Sequence, residues 1–336
     1  MNSTKRVLRL VVGFGISAVL LVLLVRGVDP HALQAALASA DLRFLPIAIG
    51  FYFVAVFVRS CRWRLLLPDG MVSIGVLYRA LLVGFTFNNL LPVRMGEVAR
   101  VYLLGRWCSV PYGTTTASLV VERILDGLAL TALLLIGLLV VPAPAYLLGA
   151  GLLVGAIFGA LAVVLALAAW NRAFLLRTAE ILTRPFPGRA RRVVSGVLDS
   201  FVDGLRLVRG AARVAQLVGL SLLGWLCELS VFYVLMLGFP MPHSLPLALV
   251  SGATANFATL VPSSPGYVGT FDSALTRVLQ DVAGVPLPTA LAYAVVVHAT
   301  LFVPVVLAGA AVLWRARVSL VDVQRVQPRS VLSAEG

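Results

Sequence analysis

The chain has 336 residues, of which 60% are hydrophobic and only 12% charged, and its mean hydropathy is +0.99. A soluble domain carries about a quarter charged residues, so this composition excludes a soluble globular protein and predicts an all-α polytopic membrane protein. The net charge of +13 does not imply a nucleic-acid partner, because the arginines fall between apolar runs, where they orient the chain and meet anionic head groups.

In chain order, six segments approach the roughly 20 apolar residues that a spanning helix needs: residues 7–25, 44–62, 117–141, 145–169, 214–238 and 287–314. The first follows Lys5, Arg6 and Arg9 and has no A-x-A cleavage site after it, so it is expected to be a retained span rather than a signal peptide. The stretch His31 to Phe44 is short and mixed and is expected to lie along the outer surface. Arg59, Arg62 and Arg64 close the second span, with Trp63 among them reading as an interface anchor. Residues 171–213 form a basic segment, read either as amphipathic helices at anionic lipid or simply as orienting charge. Residues 315–336 form a basic tail. The arginine bias puts both termini on the cytoplasmic side of a cell membrane. One integral membrane domain, 1–336, is expected, with 1–141 and 145–314 as pseudo-repeats.

Two polar stretches interrupt the apolar pattern. Asn88 to Glu97 and Asn256 to Asp272 each run from Asn through apolar residues to Pro, a polar turn, Gly and a carboxylate. The segment after each turn is too short or too polar for a simple return span at about 1.5 Å per residue. The pattern predicts two re-entrant helical hairpins entering from opposite faces, an inverted pseudo-repeat in which broken helices meet at a transport site.

Charge at membrane depth costs about 2.5–3.5 kcal/mol per central Arg or Asp on insertion scales, which makes such residues the site candidates. In the first motif these are Asn89, Arg94, Glu97 and Arg100, where Glu97 and Arg100 share a helical face and Gly96 admits close backbone approach. Glu122, Arg123 and Asp126 open the third full span, with Arg123 expected to point away from the two acids towards a hairpin carboxylate. They read equally as a substrate site and as a packing network. In the second motif Ser263, Ser264 and Gly266 offer hydroxyls and backbone N–H groups to an anion at a helix start near Val268, and Asp272 lies in the following limb. Glu228 and His298 are lone polar residues in spans, and His298 reads more readily as a satisfied core residue. No P-loop, G-x-S-x-G or H-E-x-x-H is present. Cys61, Cys108 and Cys227 have no metal-ligand spacing. No cofactor, metal or catalytic residue is expected.

Arg62-Trp63-Arg64, Asn89 to Pro92 with Gly96-Glu97 and Arg100, Val121 to Ile124 with Asp126, and Pro262 to Gly269 together resemble the lysylphosphatidylglycerol synthase transmembrane, or flippase-like, family over nearly the whole chain. The resemblance implies a helical bundle with two facing hairpins around a cavity for lipid head groups. The chain departs from the family pattern in having Asp272 for a glutamate, Tyr267 for the second glycine of a Pro-Gly-Gly turn, and His298 for an arginine. The soluble synthase domain of some relatives is not expected here. The function expected is movement of an anionic or modified phospholipid, or a lipid-linked glycan, between leaflets. Arg94, Arg100 and Arg123 would receive phosphate in that reading. The alternatives left open are a membrane-embedded glycosyl or group transferase acting on a lipid carrier, and a non-transporting scaffold or regulator. Membrane lipids are the expected partners; a homo-oligomer and a separate lipid-modifying enzyme stay open.

Overall fold

The computed structural model describes residues 19, 29–91, 95–170, 210–261 and 264–316, with side chains placed up to residue 167 of the third group. The expected first span and the basic segment up to residue 209 therefore lie outside the described residues (Val19, which is helical, excepted), as do Arg94 and Ser263. Every regular element among the described residues is helical.

Local signals set the helix starts. Helix α1 (Pro30–Ala38) begins with proline at its first position, where no intrahelical N–H is needed, and Asp29 accepts the His31 N–H at 3.0 Å. Helix α2 (Leu45–Leu65) follows a single 3-10 turn at Leu42–Phe44. Helix α3 (Ile74–Leu90) is capped by Ser73, and α4 (Met95–Cys108) follows the Pro92–Arg94 connection. Helices α5 (Tyr112–Leu138), α6 (Ala145–Trp170) and α7 (Ala211–Met236) are long. Helix α8 (Leu245–Ala258) is capped by Ser244. A 3-10 turn, Pro265–Tyr267, leads into α9 (Thr270–Ala283), which ends at Gly284 in the left-handed conformation. Helix α10 (Leu287–Ala316) closes the described chain.

Among the described residues, four helical segments are long and apolar enough to cross a membrane: Leu42–Leu65, Ala145–Leu167, Ala211–Met236 and Leu287–Ala316. They correspond to the expected spans at 44–62, 145–169, 214–238 and 287–314. The span expected at 117–141 is a helix of sufficient length, 27 residues, but Glu122, Arg123 and Asp126 sit near its middle and take it out of the purely apolar class. The two motif regions are pairs of short helices. At 1.5 Å per residue, the 17 residues of α3 reach about 25 Å and the 14 residues each of α4, α8 and α9 about 21 Å, against about 30 Å of hydrocarbon.

Helices α2 and α7 form the most extensive pair, and the short helices wrap round them in a crossed pattern. Helix α3 packs on its partner α4 and on the last helix, α10; α8 packs on its partner α9 and on α5. Each two-helix unit thus leans on the long helix that follows the other unit. Helix α6 lies against α5 and leaves most of its apolar surface outward, including Leu152, Leu153, Val163 and Val164, as expected for a surface that meets lipid tails.

Two glycines decide how closely these elements approach. A Cβ on Gly96 would lie 2.0 Å from the Gly84 carbonyl oxygen and 2.6 Å from Asn88 Oδ1, and one on Gly309 would lie 2.0 Å from Thr86 Oγ1. Gly96 therefore serves the α3–α4 crossing rather than approach to a head group, and its N–H is already donated to Asn88 Oδ1 at 2.8 Å. At the α3–α10 crossing, Thr86 Oγ1 donates to the Val305 and Leu82 carbonyls.

Candidate functional site

A cavity of about 350 Å³ opens where the two short-helix pairs converge, within the range that binds small molecules. Its wall combines Arg59, Glu97, Arg123, Asp126, Glu228 and His298 with the amides Asn88, Asn89 and Asn256. A broad aromatic surface faces them: Tyr52, Phe85, Phe158, Trp225, Phe257, Tyr267, Phe271 and Phe302.

Behind one wall lies a network of ion pairs. Arg100, on α4, forks onto Glu122 of α5 with two bonds of 2.7 Å. Arg62 reaches from α2 to Asp126 at 2.6 Å and to Ser221 Oγ of α7 at 3.0 Å. Arg59, one turn earlier, bonds Glu228 of α7 at 2.5 Å. Trp225 donates its indole N–H to Asp126 at 3.1 Å. Arg123 bonds Glu122 at 2.7 Å and Asp126 at 3.1 Å. Arg100 stacks over Trp63, 3.9 Å from the ring centroid, and Arg59 over Trp225 at 4.5 Å. The bidentate fork and stacked guanidinium use the features that separate arginine from lysine.

The network changes several sequence-based expectations. Glu97 does not pair with Arg100, because Arg100 is taken up by Glu122. Glu97 instead receives a long bond from Asn88 Nδ2 at 3.5 Å, and among the described residues its Oε2 has no hydrogen-bond partner. Arg123 does not point away from its neighbouring acids: it folds back onto both, leaving a side chain 41% exposed towards the cavity. Arg100 and Glu122 have side chains 3% and 1% exposed and do not line the cavity. Trp63 is fully buried and donates to Ser118 Oγ at 2.9 Å, so it is a core residue rather than an interface anchor. Arg59 and Arg62, read as orienting charges, are buried members of the network. Their spacing of three residues on one helix face was the available signal, and it acquires meaning only beside the acids of α5 and α7.

Arg59, Arg62, Arg100 and Arg123 are each bonded to Glu122, Asp126 or Glu228, and Glu97 and Asp272 add further carboxylates. The arginines expected to receive phosphate are thus, among the described residues, interleaved with acids.

The second short-helix pair contributes a different device. Gly266, at φ +73°, sits in the 3-10 turn, where a Cβ would lie 2.7 Å from the Phe302 ring and 3.4 Å from the Asn89 carbonyl oxygen. The turn therefore touches the end of α3 directly. Asp272 is buried; its Oδ2 accepts the Gly269 N–H at 2.9 Å and its Oδ1 meets His298 Nδ1 at 2.7 Å. His298 Nε2 meets the Gly266 carbonyl oxygen at 2.9 Å. Helix α9 begins at Thr270, near Val268, and the N–H of its N-cap residue Gly269 is donated to Asp272. Asp272 contacts no arginine among the described residues; its partner is His298. Ser264 Oγ donates to the Val268 carbonyl at 3.3 Å. Of the expected site residues, the cavity wall includes Asn89, Glu97, Arg123, Asp126, Glu228, Gly266 and His298. No group of three or more potential metal ligands occurs among the described residues.

The model of the family described as lysylphosphatidylglycerol synthase TM region matches residues 10–309. A glycosyltransferase, AglD, of Haloferax volcanii is 28% identical, with 88% of this chain and 52% of that protein covered. A UPF0104 membrane protein of Methanothermobacter thermautotrophicus is 26% identical, with 84% of this chain and 88% of that one covered. A UPF0104 membrane protein of Methanocaldococcus jannaschii is 24% identical, with 57% and 78% covered. The chain spans about half the length of the Haloferax relative and most of the length of the other two.

Proposed function

Because the chain belongs to the lysylphosphatidylglycerol synthase transmembrane family, we propose that this multi-pass membrane protein moves a lipid between the leaflets of the cell membrane, with the lipid head group in the central cavity. The observation that carries the reading is the cavity itself: a polar pocket with an aromatic side, placed where two pairs of short helices meet inside a bundle of lipid-facing helices. In this reading α3–α4 and α8–α9 are re-entrant hairpins entering from opposite faces. The crossed packing of each on the other half's long helix is the relation that an inverted repeat produces. Both termini face the cytoplasm.

The head group would be a phospholipid's or a lipid-linked glycan's. Arg123 offers a half-open guanidinium to phosphate, Glu97 offers a free carboxylate oxygen to a donor or cation, and the asparagines and rings suit hydroxyls and sugar faces. Arg94, in the connection between α3 and α4, adds a further cation to this reading. Arg100, Glu122 and Arg62 act indirectly, by holding Arg123 and Asp126 in place. The test is transfer of fluorescent or radiolabelled lipids across liposomes containing the purified chain. Movement above protein-free vesicles that is lost in both Arg123→Ala and Glu97→Gln supports the reading; unchanged movement in both variants overturns the site.

A second reading, a group transferase acting on a lipid carrier, is favoured by the printed name of the Haloferax relative. It predicts a covalently altered lipid after incubation with a sugar donor, which mass spectrometry of the extracted lipids would reveal.

A further inference from the structure

We propose that Asp272 and His298 form a proton-binding site that clasps the second hairpin turn to the cavity, and that this proton is the ion coupled to movement of the lipid; the coupling rests on the transport reading above, the proton site does not. The geometry fixes the proton count. His298 lies between two oxygen atoms, the Asp272 carboxylate at 2.7 Å and the Gly266 carbonyl at 2.9 Å. A peptide carbonyl can only accept, so Nε2 must carry a proton. The Nδ1···Oδ1 contact needs a second proton, on the ring or on the carboxyl. The assembled clasp therefore holds two protons along one side chain, whichever atom of the second bond carries its proton.

Removing one of them leaves the clasp one bond short. If the ring keeps its proton on Nδ1, towards the carboxylate, Nε2 becomes a lone pair facing the lone pairs of the Gly266 oxygen. The N–H bond broken is at Nε2, its electron pair stays on the ring, and the proton passes to water in the cavity, which His298 lines. The Gly266 carbonyl then loses its tether, and Gly266 is the residue whose packing against Phe302 and the Asn89 carbonyl joins this turn to the end of α3. A single protonation event thus sits on the contact between the two hairpins.

The surroundings of this pair are mainly aromatic and amide. On α10 and α9 its neighbours are the Phe271 and Phe302 rings, 5.1 and 6.1 Å from the imidazole. Asn88 and Asn89 of α3, Asn256 of α8 and the Tyr267 hydroxyl of the turn complete the near polar wall. The charged groups sharing the cavity are Glu97 of α4, Arg123 and Asp126 of α5, Arg59 of α2 and Glu228 of α7. All but Glu97 are engaged in the ion network.

The chain contains three histidines, so ¹⁵N-histidine labelling of the full-length protein in micelles resolves them directly. The expected spectrum has one imidazole signal that changes with pH, is absent in His298→Gln and is altered in Asp272→Asn. Hydrogen exchange across residues 264–272 supplies the structural readout between about pH 5 and 8, the range where imidazole changes charge. The His298→Arg variant, a permanent double donor, supplies the reference for the ordinary pH dependence of exchange. Relative to it, wild-type exchange should accelerate about tenfold per pH unit over part of that range, as for opening controlled by one proton. A His298 signal that does not change between about pH 5 and 8, or wild-type exchange that tracks His298→Arg, overturns the proton site. If the clasp titrates as expected, a pH gradient across liposomes should bias lipid movement in wild type and not in His298→Arg. A gradient without effect on active wild type overturns the coupling. A titrating clasp in a protein that moves no lipid at any pH overturns the transport reading and leaves the proton site standing.

Discussion

The α3–α4 pair is held to the bundle through α5 by one buried guanidinium–carboxylate pair, Arg100–Glu122, with two bonds, whereas the α8–α9 pair is held at its turn by one histidine and one aspartate. Both arrangements satisfy polar groups in an apolar region, but they respond differently to conditions. An arginine keeps its charge at all relevant pH values, so the first anchor is permanent. Imidazole changes charge near neutrality, so the second can be released. The two short-helix pairs are similar in outline and unequal in chemistry, with one side a fixed frame and the other a releasable contact.

The comparison is broken most severely by Gly96→Leu. A side chain at this position meets the α3 backbone at 2.0 Å, so the variant should yield no monodisperse protein by size-exclusion chromatography. Glu122→Gln comes next. It removes the charge shared by Arg100 and Arg123 and leaves buried guanidinium groups underpaired, a class of change that costs about 3–5 kcal/mol. Thermal unfolding in detergent should show a large loss, and Arg100→Met combined with Glu122→Leu should recover much of it, because removing both charges also removes the cost of an unpaired one. Trp63→Phe loses the bond to Ser118 Oγ and part of the surface beneath Arg100. A loss of about 1–2 kcal/mol is expected in the same assay, from the hydrogen bond and reduced cation–π contact.

The smallest effect belongs to the surface. Arg43 holds the Asp41 carboxyl below the usual carboxylate range, first through its side-chain hydrogen bond and then through its backbone N–H. A carboxyl lowered on folding contributes stability above its unfolded value and loses it as pH falls through the folded one. The pair is open to water, so Asp41→Asn should leave the unfolding temperature at neutral pH unchanged within error. A large shift there would mean that the Asp41–Arg43 pair contributes more than an exposed ion pair does.

Much of this architecture was legible because membrane burial imposes strong patterns. The long apolar runs, Asp29-Pro30 at the start of α1 and the broken segments at Asn88 and Asn256 are each local signals with local causes. The site was legible only in part. Glu97, Arg123, Asp126 and His298 were visible as polar residues in apolar surroundings, and all four reach the cavity wall. Arg59 and Arg62 were hidden because an arginine at the end of a span is ordinarily an orienting charge. Trp63 was hidden because tryptophan beside arginine is common at membrane interfaces.

The sequence by itself determined that the chain is a helical membrane protein of its family and that its charges gather round two interrupted segments. Hydropathy and helix-breaking residues act over a few turns and can be read from neighbours in the chain. Which charge meets which was decided only by tertiary structure. Arg59 finds Glu228, 169 residues away, and Arg62 finds Asp126, 64 residues away. His298 reaches a carbonyl on another element. In a low-dielectric interior every charge gains by pairing with any opposite neighbour, so composition requires that partners exist but leaves their identity to the crossing of helices. The close approaches at Gly96 and Gly309 set two of the crossings, α3 on α4 and α3 on α10.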